Sequence, residues 1–286
     1  MGELLFPNII KLFKSFFLYF GMGKIIGVIS LKGGVGKTSV VTALGDAIAG
    51  LGKKVLLVDG NFSAPNLGFH LKIFEPKLTL HDVLARKVNI EESIHSVGNF
   101  DVIPSSLFKS GEINPFLLRG KLKSLKKIYD AIIIDSSPSL GKETLAVMLA
   151  SDGLIVVTTP DIPTLTTTLK AIKVARQRGA NIDGLIINKV YNKKFELSLK
   201  DIEDAAEVPV MAVIPHDVHV LKSLSEFVPS TTHKPKSKGS GEYKKLAMTL
   251  TGEKPNQLKL KTFFRWINPT KQDVNREIFY ERVFRG

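Results

Sequence analysis

The stretch "SLKGGVGKTSV" (Ser30–Val40) decides the fold. Before it stands "KIIGVI" (24–29), an apolar run of strand length. After it "KTSVVTALGDAIAG" (37–50) carries apolar residues at helical spacing. Between them Gly33, Gly34 and Gly36 let backbone N–H groups converge on an anion without Cβ crowding. The start of the helix adds a partial positive charge at the same place. Lys37 is placed to neutralise phosphate oxygens and the Thr38 hydroxyl to hold Mg²⁺, with Val35 and Ser39 completing the loop. The strict pattern G-x-x-x-x-G-K-[ST] wants glycine at position 31, where Leu31 stands, and it has no use for a second lysine, Lys32.

Outward from this loop, apolar runs recur: "KVLLVD" (54–59), "FDVIPS" (100–105), "DAIIIDSS" (130–137), "GLIVVTT" (153–159), "DGLIINK" (183–189) and "VPVMAVIP" (208–215). They read as buried parallel strands. Stretches of helical spacing lie between most of them, among them Thr38 to Ala49 and Pro163 to Arg178, where Pro163 suits the first helical position. The alternation predicts an α/β fold: a doubly wound, mostly parallel sheet with helices on both faces. "FVPSTTHKPKSKGSGEYKK" (227–245) reads as a surface loop before a last helix, Glu242 to Leu250, and "TGEKPNQ" (251–257) as a boundary. The expected organisation is an N-terminal amphipathic extension over 1–22, one domain over 23–253 and a basic tail over 254–286.

The chain has 286 residues, 44% of them hydrophobic, enough for one large core, and no cysteine. That excludes a disulfide framework, a thiolate metal site and a cysteine nucleophile. The net charge of +13 favours polyanionic partners, nucleic acid or anionic lipid. No segment reaches the roughly 18 uninterrupted apolar residues of a spanning helix. The N-terminus comes closest, but Lys11 and Lys14 interrupt it, no cleavage motif follows, and Phe6 stands where a myristoylation motif wants Ser or Thr.

"KGGVGKT" (32–38) resembles the deviant Walker A motif of the MinD/ParA family of ATPases, and the likeness runs from Lys24 to about Gly252. The resemblance implies ATP and Mg²⁺ as cofactors and an ATP-dependent homodimer, in which Lys32 reaches the nucleotide of the other subunit. "KVLLVDGNFSAPNLGFHL" (54–71) looks like the second strand and switch I, with Asp59 orienting metal-bound water. The family's D-x-D pair is here Asp59-Gly60-Asn61, and Asn61 can bond the attacking water but cannot take its proton. Binding and dimerisation are expected to survive this change, and hydrolysis to be slow, partner-dependent or absent. "YDAIIIDSSPSLG" (129–141) resembles Walker B and switch II: Asp135 binds Mg²⁺ through water, and Pro138 and Gly141 shape a loop that answers the γ-phosphate. Thr38, Asp59 and Asp135 are thus the metal candidates. In "GLIINKV" (184–190) the resemblance assigns Asn188 to the adenine amino group, and in "VIPHD" (213–217) it places Pro215 against the base and Asp217 in a nearby loop or cap. His216 reads as a surface residue. Without cysteine, the family's iron–sulfur and cysteine-liganded branches drop out, leaving MinD-like regulators, ParA-like partition ATPases and related positioning proteins.

The two ends bear on that choice. Leu260, Phe263, Phe264 and Ile267 share a helical face, opposite Lys261 and Arg265, and Pro269 stops the run. This is the pattern of an interfacial membrane helix, and equally of a helix docked on the protein's own core or on a partner. Ile9, Phe13, Phe16, Phe17 and Phe20 repeat the theme, as a second anchor or as residues upstream of a true start at Met22. The leading expectation is a MinD-like spatial regulator, cytoplasmic and peripheral on the inner face of the cell membrane, with an activating protein partner. A ParA-like ATPase on nonspecific DNA is the alternative, motivated by the charge and by "GKLKSLKK" (120–127). A nucleotide-binding scaffold without turnover is a third, motivated by Asn61.

Overall fold

The computed structural model describes residues 23–109 and 113–253, so both terminal amphipathic segments lie outside the described residues. Each of the seven apolar runs is a strand: β1 (Lys24–Ile29), β2 (Val55–Gly60), β4 (Phe100–Ile103), β5 (Ala131–Ser136), β6 (Gly153–Thr158), β7 (Ile182–Val190) and β8 (Val210–Pro215). An eighth, β3 (His95–Val97), pairs antiparallel with β4 at the edge. The order is β3-β4-β2-β5-β1-β6-β7-β8, parallel throughout except for that edge.

Side chains alternate across the strands and build two cores. Ile26, Val28, Val55 and Leu57 face α1 (Lys37–Ala49), α2 (Leu67–His70) and a C-terminal helix. Ile25, Ile29, Leu56 and Val58 face the opposite layer, made of α3 (Leu80–Leu84), α4 (Leu118–Leu122), α5 (Lys142–Ala150), α6 (Ile162–Gln177) and α7 (Leu199–Ala206). Burial on both faces is why the central strands read as unbroken apolar runs. The chain closes with α8 (Val218–Ser225), α9 (Ser230–His233) and α10 (Lys238–Thr251).

The stretch 227–245 is therefore not the loop its composition suggests. It holds α9 and the first half of α10, which begins four residues before the expected Glu242. Ser237 caps α10, accepting from the Ser240 N–H at 3.2 Å, and buried Ser240 donates to the Ser230 carbonyl at 3.0 Å. Capping and packing override the weak helix propensity of Gly239 and Gly241. In "GKLKSLKK", Leu122 and Leu125 are buried and Lys126 pairs with Asp152, so the run is the outer face of α4 and the turn after it.

At the amino ends of the strands, Lys24 Nζ donates to Asp183 Oδ2 at 3.0 Å, with both side chains almost wholly buried. Gly153 faces this pair: a Cβ there would stand 2.0 Å from Asp183 Oδ2. Removing one member of a buried pair strips the other of its nearest counter-charge. Asp183→Ala is expected to lower unfolding free energy by about 3–5 kcal/mol, measured by urea denaturation. A loss below about 1 kcal/mol would rule out the pair as an anchor of this end of the sheet.

Candidate nucleotide site

β1 ends at the carboxyl edge of the sheet and delivers the chain directly into the glycine loop. Gly34 and Gly36 adopt left-handed backbone angles, φ 78° and 92°. A Cβ on Gly33 or Gly34 would meet nothing within 4 Å, so the loop faces open space, whereas one on Gly36 would stand 2.5 Å from Asn188 Nδ2. Two loop carbonyls are tied to β7: Asn188 Nδ2 donates to Val35 O at 2.8 Å, and Lys189 Nζ to Gly34 O at 2.6 Å. Lys37 is buried and has no hydrogen-bond partner among the described residues; burial holds its pKa below the ordinary lysine value, against the opposing pull of Asp135. A buried ammonium at the start of a helix, below an open glycine loop, fits a phosphate.

Thr38, Asp135 and Asp59 meet beside Lys37. The Thr38 hydroxyl donates to Asp135 Oδ2 at 2.6 Å, and Asp135 Oδ1 is buried without a hydrogen-bond partner. The parallel register of β2 and β5 sets Asp59 beside Asp135. Asp59 is fully buried and accepts from the Asn61 N–H at 3.1 Å and the Leu67 N–H at 3.0 Å. Burial, then the neighbouring Asp135, pushes its pKa up to about 8. Burial also raises Asp135, to about 6, against the opposing pull of Thr38 and Lys37. Two buried carboxyls with one oxygen unsatisfied, next to a hydroxyl, are a hard-oxygen set that fits Mg²⁺. No group of three His, Cys, Asp or Glu among the described residues could cage a metal alone.

The remaining expected residues spread around the loop. Asn61 is buried; its Nδ2 donates to the Ala64 carbonyl, and its Oδ1 has no partner. Lys32 is half-exposed, its Nζ 2.6 Å from Thr164 Oγ1 and 3.4 Å from Asp161 Oδ1. It borders a 310 Å³ cavity whose wall also includes Asp161, Lys189, Tyr191 and Phe195. Pro215 ends β8, and Asp217 caps α8, accepting from the His219 N–H at 2.9 Å. Ser39 lies in the first turn of α1, and Pro138 and Gly141 lie between β5 and α5.

Four features escaped the sequence reading. Lys189 grips the loop, and Asp161 caps α6 while holding Lys32. His216 is exposed, as expected, but its ring stacks on Tyr191, with centroids 4.4 Å apart. Glu143, in the first turn of α5, accepts from the Ser63 hydroxyl through Oε1, while its Oε2 is buried without a partner. An acidic residue in the first turn of a helix was the only signal for Glu143, and helix capping already accounts for such residues.

Gly36→Ala is expected to strain the loop by about 1–3 kcal/mol and displace the Asn188 amide. Denaturation with and without nucleotide checks it. Between about pH 4 and pH 8 folded Asp59 holds a proton that the unfolded chain releases, so its contribution to stability falls as pH rises through that window. Asp59→Asn removes this term. In the absence of nucleotide the variant should gain on the wild type progressively from pH 4 to pH 8, and a gap that stays constant with pH would refute the assignment.

The comparisons agree with this geometry. A family model described as an AAA domain matches residues 23–183. An uncharacterised ATP-binding protein of Methanocaldococcus jannaschii is 37% identical over 232 residues, 80% of this chain and 88% of the relative. Among solved structures, the cell division ATPase MinD of Pyrococcus furiosus superposes with a TM-score of 0.76 at 36% identity, over 81% of this chain and 99% of that one. The septum site-determining protein MinD of Pyrococcus horikoshii, complexed with Mg-ADP, gives 0.74 at 35% identity, over 79% and 95%. On these matches, this chain belongs to the MinD/ParA family of P-loop ATPases.

Proposed function

We propose that this chain binds Mg·ATP at Gly33–Ser39, dimerises through the bound nucleotide, and acts as a MinD-like spatial regulator on an anionic membrane surface. Lys37 and the loop N–H groups take the phosphates, and Thr38 and Asp135 hold Mg²⁺, with Asp59 behind them. Asn188, Pro215 and Asp217 frame the base, and Asn61 positions the attacking water. The observation that carries the reading is the state of Lys32. It stands at the rim of the phosphate loop, held by an ion pair whose two side chains are 41% and 44% exposed. Such a pair contributes only about 0–1 kcal/mol. A triphosphate presented by a second subunit is a stronger partner, since charge-assisted contacts gain strength where water is excluded. Lys32 can therefore exchange Asp161 for a nucleotide in trans, linking ATP to dimerisation.

Membrane binding draws on the +13 net charge and on the terminal amphipathic segments, which flank the ATPase domain over 23–253. A dimer doubles the number of weak anchors and so multiplies avidity. Among the described residues no helix is long and apolar enough to cross a membrane. Turnover is slow and is raised by a protein partner at the inner face of the membrane. Nonspecific DNA is the other surface that the charge would suit.

Two measurements test this reading. Lys32→Ala should lose ATP-dependent dimerisation in light scattering and keep nucleotide affinity within about threefold, a change below 1 kcal/mol. Lys37→Ala should lose nucleotide binding itself. Full-length protein should co-sediment with anionic liposomes in ATP but not in ADP, and removing residues 254–286 should abolish this. Pelleting with DNA and not with lipid would move the protein to the partition class.

A further inference from the structure

Asn61 leaves this site without the carboxylate that would take a proton from the attacking water. We propose that Glu143, on the switch II helix, supplies it. The inference rests on the ATPase reading above and goes beyond it by naming the base.

Three acceptor oxygens are buried and unpartnered: Asn61 Oδ1 and Asp135 Oδ1 at the site, and Glu143 Oε2 on the helix that Ser63 reaches. Asn61 and Asp135 are themselves only 5% and 1% exposed. Buried acceptors without donors are costly, and each marks a place where a donor can bind. The chain connects them. Asn61 follows Asp59 by two residues, Asp59 is in register with Asp135, and Ser63, two residues past Asn61, donates to Glu143 Oε1. That bond ties the segment carrying Asn61 to the first turn of α5 and fixes one Glu143 oxygen. The other is left to accept. A bound metal would satisfy Asp135 Oδ1, and a water donating one hydrogen to Asn61 and one to Glu143 would satisfy the remaining two.

The chemistry then balances. The water oxygen bonds to the γ-phosphorus as one of its protons passes to Glu143 Oε2. The bond from that phosphorus to the β,γ-bridging oxygen breaks, and its electron pair leaves on ADP. The amide orients the water and the carboxylate accepts the proton, so the work of one aspartate is divided between two side chains.

The test uses full-length protein and compares wild type, Glu143→Gln, Glu143→Asp, Asn61→Asp and the Asn61→Asp/Glu143→Gln double variant. The readouts are single-turnover hydrolysis with enzyme in excess and the affinity for a fluorescent Mg·ATP analogue. Glutamine still accepts from Ser63, so a merely structural role would survive the first change. Expected are a loss of roughly 100-fold in turnover for Glu143→Gln, affinity within about threefold of wild type, partial activity for Glu143→Asp, and recovery in the double variant. Turnover of Glu143→Gln within about threefold of wild type overturns the assignment and leaves the ATPase reading intact. So does a double variant as inactive as Glu143→Gln when Asn61→Asp alone is active. A wild type with no turnover while Asn61→Asp is active overturns both, because Glu143 then does not replace the missing carboxylate.

Discussion

The site is organised by two carboxyl groups that cannot both be charged without help. Asp59 and Asp135 end adjacent parallel strands in register, and both are buried. Like charges at that spacing in a medium of low polarity repel strongly. The fold answers each in a different way. Asp59 is met by backbone N–H groups of the segment that follows β2, so its electrostatics shape that segment. Asp135 is met by Thr38 and Lys37, so its electrostatics reach into the glycine loop. The segment after β2, the loop and the strand ends are thus parts of one charge balance, and a cation or an anion arriving anywhere in it is felt by all three.

Much of this was legible in the sequence, for physical reasons. Central parallel strands are apolar on both faces, so all seven announce themselves as runs. The loop is legible because its chemistry demands glycine and lysine at fixed spacing. β3 was not, because it is three residues long, partly exposed and antiparallel, and shows neither an apolar run nor a clear alternation. The start of α10 was hidden by a composition of Pro, Ser, Gly and Lys, although Ser237 was a readable cap. Glu143 is a different kind of omission. Its meaning comes from Ser63, 80 positions away, and no local pattern carries that. Lys189 and Asp161 are alike in this respect: each acts on the loop from another strand or helix.

The family likeness assigns a role to a position, as with the adenine contact of Asn188. The structure shows a second task for that position: the Asn188 amide holds the loop through Val35. An amide can offer its donor to only a few acceptors, so recognising a base and bracing the loop draw on the same group.

One feature lies far from the chemistry. The Lys24–Asp183 pair, with Asp152 accepting from the Ile25 N–H, locks the amino ends of β1 and β7, while Asn61 Oδ1 and Asp135 Oδ1 stand without partners at the carboxyl ends of β2 and β5. Stiffness is therefore graded along the strands. The amino ends act as a fixed footing, and compliance is concentrated where the loop and the two switch segments emerge. A disturbance at the phosphate end is taken up there, as displacement of the segments beyond the strands, and is not dissipated by deforming the sheet beneath.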